Sequence, residues 1–99
     1  MKLFTLTVTA KTDLREIALF TQRRWGKEQR NAYLKQFDDS FWLLAENPDI
    51  GKTCDEIRAG YRKFPQGRHV IFYQQTGNQQ IRIIRILHKS MDVGSVVGA

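Results

Sequence analysis

The chain has 99 residues, with sixteen Lys and Arg against ten Asp and Glu, so its formal net charge is +6. A chain this short forms one domain, because a hydrophobic core stops growing only beyond about 250 residues. Eleven aromatic residues argue against disorder, and no apolar run approaches the roughly 20 residues of a membrane span. The single Cys54 excludes an internal disulfide and fits a reducing cytoplasm. The positive charge favours an acidic partner, either nucleic acid or an acidic protein.

The first half of the chain predicts one strand followed by two helices. The segment Leu3–Val8 alternates between apolar and polar residues, as a half-buried strand does. Helical spacing of apolar residues follows, and we place its N-cap at Thr9 and its left-handed stop at Gly26. A second helix runs over Lys27–Glu46 and ends at Asn47, because the residue before a proline is pushed out of the helical region. The two helices should fold back on each other as an antiparallel hairpin.

The second half of the chain predicts sheet. The segment Asp49–Glu56 has the composition of a loop, and three strands follow it over roughly Ile57–Phe64, Val70–Gln75 and Gln80–His88. The order β-α-α-β-β-β predicts an α+β fold, with a helical hairpin packed on one face of a mostly antiparallel four-stranded sheet. We expect residues 1–92 to form this single domain and residues 93–99 to be a flexible tail.

Two details of this sheet bear on function. If Gln75 pairs with Gln80 in the last hairpin, Ile71 faces Ile84 and Phe72 faces Ile83. The helices cover one face of the sheet, and the sequence offers nothing further to cover the other. An uncovered sheet face predicts a surface for a partner.

The chemistry-bearing residues favour binding over catalysis. No glycine-rich phosphate loop, nucleophile elbow or HExxH motif occurs, and Cys54 and the two His lack metal-ligand spacing, so we expect no cofactor and no metal. Basic residues concentrate on the three C-terminal strands. On an open sheet face they could stabilise phosphates, with His88 as a general acid or base in RNA cleavage, or they could bind a protein or simply face solvent. These residues are Arg58, Arg62, Lys63, Arg68, Arg82, Arg85, His88 and Lys89.

Four apolar residues, Leu19, Phe20, Trp42 and Leu43, project away from the predicted core stripes of the helices. They either contact each other within the hairpin or form an exposed patch for a partner protein. The basic stretch Gln22–Lys27 either contacts nucleic acid or solvates the end of a helix.

An ordered series of motifs resembles the RelE/ParE toxin superfamily, and it lies closest to the ParE branch, to chromosomal ParE toxins of Vibrio type. The match covers nearly the whole chain except its tail. The motifs are Thr9–Ile17, Trp25–Gln29, Tyr33, Asn47–Gly51, Ile57–Phe64, Gly67–Tyr73 and Ile81–Asp92 with Leu87-His88-Lys89.

The resemblance implies the toxin of a type II toxin–antitoxin system that stabilises plasmids or chromosomes. Such a toxin inhibits DNA gyrase, stabilises the cleaved-DNA complex of gyrase and is neutralised by a ParD-type antitoxin. It would be a cytoplasmic inhibitor without an enzymatic activity, would contact DNA only through gyrase and would not bind membranes. The alternative is a RelE-like ribosome-dependent mRNA endoribonuclease with Arg62, Arg85 and His88 as catalytic residues. Against it, Lys89 follows His88 where RelE-like enzymes carry a Tyr, and the basic segment before the sheet is reduced to Lys52.

Binding residues follow from the resemblance together with the charge pattern. For gyrase, the candidates are Trp25 and Trp42. For the antitoxin, whose C-terminal segment would fold on the toxin, the candidates are Arg58, Arg62, Arg68, Tyr73, Arg82, Arg85, His88, Leu19 and Phe20.

Overall fold

The computed structural model describes residues 3–77 and 79–91, which form two helices and five strands. The strands lie side by side in the order β1-β5-β4-β3-β2. In chain order the elements are β1 (Leu3–Leu6), α1 (Val8–Trp25), α2 (Lys27–Glu46), β2 (Lys52–Thr53), β3 (Tyr61–Gln66), β4 (His69–Gly77) and β5 (Gln80–His88).

The predicted α+β fold with a helical hairpin on a mostly antiparallel sheet is confirmed. One strand pair is parallel: β1 lies beside β5 at one edge, where Phe4 aligns with Ile81. The strand count is five rather than four, because Lys52 and Thr53 pair with β3 inside the segment predicted as a loop. β3 also begins at Tyr61 instead of Ile57, since residues 55–60 turn before the strand starts.

The ends of the helices are set by local capping. Helix α1 begins two residues earlier than predicted, because the side chain of Thr7, not Thr9, accepts the amide hydrogen of Ala10 at 3.0 Å. The same Thr7 hydroxyl donates to the carbonyl of Ile84 on β5 at 2.9 Å. Gly26 stops α1 at φ 93°, as predicted, because a residue with a Cβ rarely adopts that angle. Helix α2 spans its predicted range.

The main core lies between the hairpin and one face of the sheet. The inward faces of both helices meet alternate residues of β4 and β5, so the packing follows the 3.6 and 2.0 periods of the two element types. Its buried residues include Ile17, Phe37, Phe41, Leu44, Ile71, Tyr73, Ile81, Ile83 and Ile86.

The predicted register of the last hairpin is wrong. Ile71 aligns with Ile86 and Phe72 with Arg85, whereas Tyr73 aligns with Ile83. Ile84 is therefore the extra residue of a bulge, and a second irregularity lies between Gln75 and Gly77. A bulge re-aims the side chains that follow it. Here the next two residues after Ile84 both reach the helical side of the sheet, because Arg85 contacts α1 and Ile86 joins the core.

The sequence suggested that the sheet face opposite the helices is open. In the structure this face is partly covered. Residues after β2 fold across it, and Cys54 and Ile57 pack there against Tyr61, Phe72 and Leu87 in a second buried cluster. Burial raises the pKa of the Cys54 thiol, with a further contribution from Glu56, so this side chain is kept as the neutral thiol. Within residues 3–77 and 79–91, neither helix is long and apolar enough to cross a membrane. The predicted tail 93–99 lies outside the described residues.

Candidate functional site

A groove of about 780 Å³ opens between the helical hairpin and one end of the sheet. Its walls come from α1, from the first turns of α2, from the turn between β3 and β4, and from the end of β5 and the residues after it. We call it the hairpin groove, and its volume falls within the range of natural ligand sites. The lining residues used below are Phe20, Arg24, Trp25, Tyr33, Arg68, His69, Arg85, His88 and Met91.

An ion pair joins helix α1 to the bulged strand at the side of the groove. Asp13 accepts hydrogen bonds from Arg85 Nε at 2.8 Å and Nη2 at 3.0 Å, and also from the backbone amide of Ile86 at 3.0 Å. The side chains are 10% exposed for Asp13 and 23% exposed for Arg85. The guanidinium is thus largely neutralised by the protein itself. Arg85 lines the groove without offering a full free charge to a partner.

Tyr33, from helix α2, fixes the β3–β4 turn at the other side of the groove. Its hydroxyl lies 2.7 Å from His69 Nδ1, 3.2 Å from the carbonyl of Gln66 and 3.1 Å from the amide of Arg68. The Nδ1–H tautomer of neutral His69 satisfies all three contacts, because the hydroxyl then accepts from His69 and Arg68 and donates to Gln66. The Tyr33 ring lies against Gly67, and a Cβ at position 67 would come within 2.7 Å of that ring.

Burial controls protonation in this cluster. Desolvation lowers the pKa of His69 to about 4, with a smaller contribution from the neighbouring His88, whose ring centre is 5.5 Å away. Desolvation likewise raises the pKa of Tyr33 above its usual value. Both groups are therefore neutral at pH 7, and His88 is the more solvent-exposed imidazole of the pair, with its Nδ1 atom 2.8 Å from the Ser90 hydroxyl.

The outer part of the groove is apolar and unusually exposed. Phe20 is 63% exposed, Trp25 57% and Met91 51%, and all three line the groove. Arg24 and Arg68 lie beside them and carry exposed charges. Apolar anchors bordered by cations fit an amphipathic acidic segment. The part of the chain that the structure describes brings no three His, Cys, Asp or Glu side chains together as a metal site.

The predicted site residues do not form one cluster. Arg68, Arg85, His88 and Phe20 line the hairpin groove. Arg62 lies outside it and donates to the carbonyls of Asp49 and Gly51 at 3.2 Å and 2.8 Å, with the Asp49 carboxylate 3.6 Å away.

Three further predicted residues are exposed outside the groove. Arg82 follows the inward-facing Ile81 on β5 and therefore points from the opposite face of the sheet. Arg58 is exposed in the turn before β3, and Leu19 is 47% exposed on α1 without lining the groove.

Tyr73 requires a correction, because it is fully buried and cannot contact a partner. Its hydroxyl donates to the carbonyl of Pro48 at 2.7 Å and accepts the amide hydrogen of Gly51 at 2.9 Å. It therefore holds the segment that leaves α2 against the sheet.

The two tryptophans considered for gyrase lie near opposite ends of the hairpin. Trp25 ends α1 at the groove, whereas Trp42 lies near the end of α2 and packs on Phe4 at 4.7 Å between ring centres. Trp42 follows Trp25 by seventeen positions, most of them in α2. At a rise of 1.5 Å per residue, the two side chains start about 25 Å apart along the helix. They belong to different surfaces.

Sequence reasoning missed Asp13, Tyr33 and His69 as parts of this site. One signal was present for Asp13: it lies three residues after Ala10 and four before Ile17, on the buried face of α1. A carboxylate at such a position requires a hydrogen-bonded partner. The contacts of Tyr33 and His69 depend on the docking of α2 against the β3–β4 turn, which leaves no local pattern.

Comparison with known proteins identifies the family. The family model described as the ParE toxin of the type II toxin–antitoxin system parDE matches residues 4–93. Toxin ParE1 of Mycobacterium tuberculosis is 43% identical over 90 residues, which cover 91% of this chain and 92% of that protein. Toxin ParE1 of Caulobacter vibrioides is 37% identical over 98 residues, covering 99% of this chain and 100% of that protein.

A solved structure from the chromosomal ParDE system of P. aeruginosa shares the fold, with a TM-score of 0.74 at 19% identity, covering 89% of this chain and 96% of that one. The family model and the two sequence relatives agree. The chain therefore belongs to the ParE toxin family of type II toxin–antitoxin systems.

Proposed function

We propose that this toxin inhibits DNA gyrase by binding, stabilises the cleaved-DNA complex of gyrase, and acts in the cytoplasm where gyrase works. Membership in the ParE family supports this proposal. The observation that carries the choice between binding and catalysis is the separation of the three residues that an RNA-cleaving site would need. Arg62 is held by Asp49 and Gly51 outside the groove, and Arg85 is paired with Asp13.

This arrangement argues against the ribonuclease alternative. Phosphodiester cleavage needs cations aimed at the charge that develops in the transition state, together with a positioned acid or base. Here His88 lies in the groove beside an already neutralised guanidinium. We therefore expect His88→Ala to keep its toxicity, while intact messenger RNA in poisoned cells would agree with the binding mechanism. Cleaved messages that disappear with the His88→Ala variant would support catalysis instead.

The direct test is a supercoiling assay with purified gyrase and relaxed plasmid. The folded toxin should block supercoiling and accumulate linear DNA when the reaction is stopped with detergent. Normal supercoiling at several-fold molar excess of the toxin would contradict the proposal. Heat-unfolded toxin at the same concentration is the control for non-specific inhibition.

We further propose that a ParD-type antitoxin neutralises the toxin through an acidic amphipathic segment in the hairpin groove. The exposed Phe20, Trp25 and Met91 provide apolar anchors, and Arg24 and Arg68 provide charge at the rim. The exposure of these three large apolar side chains to water is unfavourable, and a partner that covers them lowers the free energy. A segment that folds on binding would trade its conformational entropy against that gain.

Substitution of Phe20 tests this groove. Because Phe20 is 63% exposed, Phe20→Ser should fold normally and weaken antitoxin binding about ten-fold or more in isothermal titration calorimetry. Leu43→Ser is the matched control, since Leu43 is 43% exposed on α2 and does not line the groove. Equal affinity for the two variants would place the antitoxin elsewhere.

A further inference from the structure

The turn between the two helices forms a positively charged end of the molecule. We define the hairpin tip as Arg23, Arg24, Trp25 and Lys27, which surround Gly26. All four side chains are exposed, and the guanidinium of Arg24 lies 5.5 Å from the centre of the Trp25 ring. Nearby, Arg30 is engaged with Gln22 at 2.6 Å and with the side chain of Asn31. The tip thus presents three cations and an indole to solvent.

Ion pairing within the protein does not explain the charges of the tip. Across residues 3–77 and 79–91, the Lys and Arg residues in ion pairs are Lys35, Arg62 and Arg85, so none belongs to the tip. Arg23 and Arg24 lie in the last turn of α1, where the helix dipole favours cations, whereas Lys27 opens α2, where the dipole disfavours a cation and favours Glu28. Like charges this close repel one another. The dipole of α1 favours Arg23 and Arg24 but not Lys27, so the three mutually repelling charges gain further stabilisation beside negative charge.

We propose that the hairpin tip contacts the backbone phosphates of duplex DNA directly, in contrast to the expectation from the resemblance that DNA is contacted only through gyrase. Phosphate contact requires only exposed cations, and release of counterions from the DNA provides the free energy. A protein partner would instead need several apolar anchors that become fully covered, and Trp25 is the one apolar side chain among the four tip residues. The exposed apolar residues Phe20 and Met91 lie outside the tip, in the groove. Trp25 can add contact with sugar or base edges, because its ring is exposed on the same side as Arg24.

The tip and the groove share residues. Arg24 and Trp25 belong to the tip and also line the hairpin groove. A segment lying in the groove would cover them and would therefore compete with DNA. DNA contact and the proposed antitoxin binding would then exclude each other at this end of the molecule.

The experiment measures fluorescence anisotropy of a labelled 20-base-pair duplex titrated with the toxin alone, at several salt concentrations. No gyrase is present, so the result is independent of the gyrase proposal. The tip variant is Arg23→Gln, Arg24→Gln and Lys27→Gln. The control variant is Lys11→Gln, Arg15→Gln and Lys52→Gln, which removes the same charge from exposed positions away from the tip. Circular dichroism melting verifies that both variants fold.

We expect the wild-type protein to bind at low salt and the tip variant to bind at least ten-fold more weakly. The slope of log affinity against log salt should fall by about 2 to 3, close to 0.9 for each lost phosphate contact. The control should stay within about three-fold of the wild type. An equal loss in both variants, or no wild-type binding at low salt, would overturn the proposal. Equally tight, tip-dependent binding to poly-glutamate would overturn it too, because the tip would then be a surface for acidic proteins.

Discussion

At the scale of single residues, two polar side chains shape the groove, the buried Asp13 and the half-buried His69. Asp13 uses both carboxylate oxygens, on Arg85 and on the amide of Ile86, and so fastens the bulge of β5 to α1. His69 remains neutral beside Tyr33 because it is desolvated. The groove therefore depends on contacts made by side chains that a partner would not touch first.

Replacing Asp13 by Ala should destabilise the protein by about 2 to 3 kcal/mol. The change leaves a largely buried guanidinium and a buried amide without their acceptor. The measurement is the urea midpoint, followed by circular dichroism. Asp39→Ala is the control, because its ion pair with Lys35 is exposed and should leave the midpoint unchanged. If both variants behave alike, the Asp13–Arg85 pair does not stabilise the bulge.

Acidification should destabilise the protein through His69. The pKa of His69 is about 4 in the folded protein, below its usual value of 6.5. Between these two pH values the unfolded chain binds more protons than the folded protein. The free energy of unfolding therefore falls as the pH drops from 6.5 towards 4. Other groups also titrate in this range, so the comparison is with His69→Asn, whose amide can replace Nδ1. Between pH 7 and pH 4.5 the wild type should lose about 2 kcal/mol more than this variant. Parallel curves would contradict a neutral, desolvated His69.

At the scale of elements, two tyrosines join the hairpin to the sheet in opposite directions. Tyr33 reaches from α2 to the β3–β4 turn, whereas Tyr73 reaches from β4 to the segment that follows α2. Each hydroxyl bonds two backbone groups, and each ring lies against a glycine, Gly67 or Gly51. The Tyr33 contacts lie at the groove, whereas those of Tyr73 hold the segment after α2 against the sheet.

Gly51→Ala should cost about 2 kcal/mol or more, because its Cβ would overlap the hydroxyl of Tyr73. Gly77→Ala is the matched control, since no atom lies within 4 Å of a Cβ placed there. Thermal melting compares the two variants. The same melting temperature for both would show that the segment after α2 moves freely and that Tyr73 does not fix it.

The elements themselves could be predicted because their signals are local. The Gly26 stop and the Asn47 end of α2 follow from backbone sterics, and both agree with the structure. The two-residue strand β2 has no periodic signal, because it is too short to show one. The bulge at Ile84 depends on a contact between α1 and β5, so alternation along β5 alone gives the wrong register. The predicted site residues that line the groove include Phe20, Arg68, Arg85 and His88. In contrast, Asp13, Tyr33 and His69 were missed because their contacts depend on tertiary packing.

At the scale of the whole molecule, the excess positive charge is divided among separate surfaces. Eight of the sixteen Lys and Arg lie in residues 50–99, but Arg62 and Arg85 are already paired with acidic residues. Arg68 at the groove and Arg82 on the far face of the sheet remain exposed. Long-range attraction of an acidic antitoxin should depend on such exposed charges rather than on the paired ones.

Reversing Arg68 and Arg82 to Glu should slow antitoxin association several-fold at low ionic strength, with less effect at high salt. Stopped-flow fluorescence gives the rate. Lys11→Glu with Arg15→Glu changes the net charge equally at other exposed positions. If both double variants slow association to the same degree, the net charge steers the antitoxin and the position of the arginines does not matter.

We propose that the toxin inhibits gyrase and that the antitoxin silences it by binding in the hairpin groove. One supercoiling assay tests both parts, with gyrase, toxin and a molar excess of antitoxin. The wild-type toxin should block supercoiling alone and lose this effect when antitoxin is added, whereas Phe20→Ser should still inhibit at an antitoxin concentration that silences the wild type. Normal supercoiling by gyrase in the presence of wild-type toxin alone would contradict inhibition of gyrase. Full silencing of Phe20→Ser at that antitoxin concentration would contradict binding of the antitoxin in the groove.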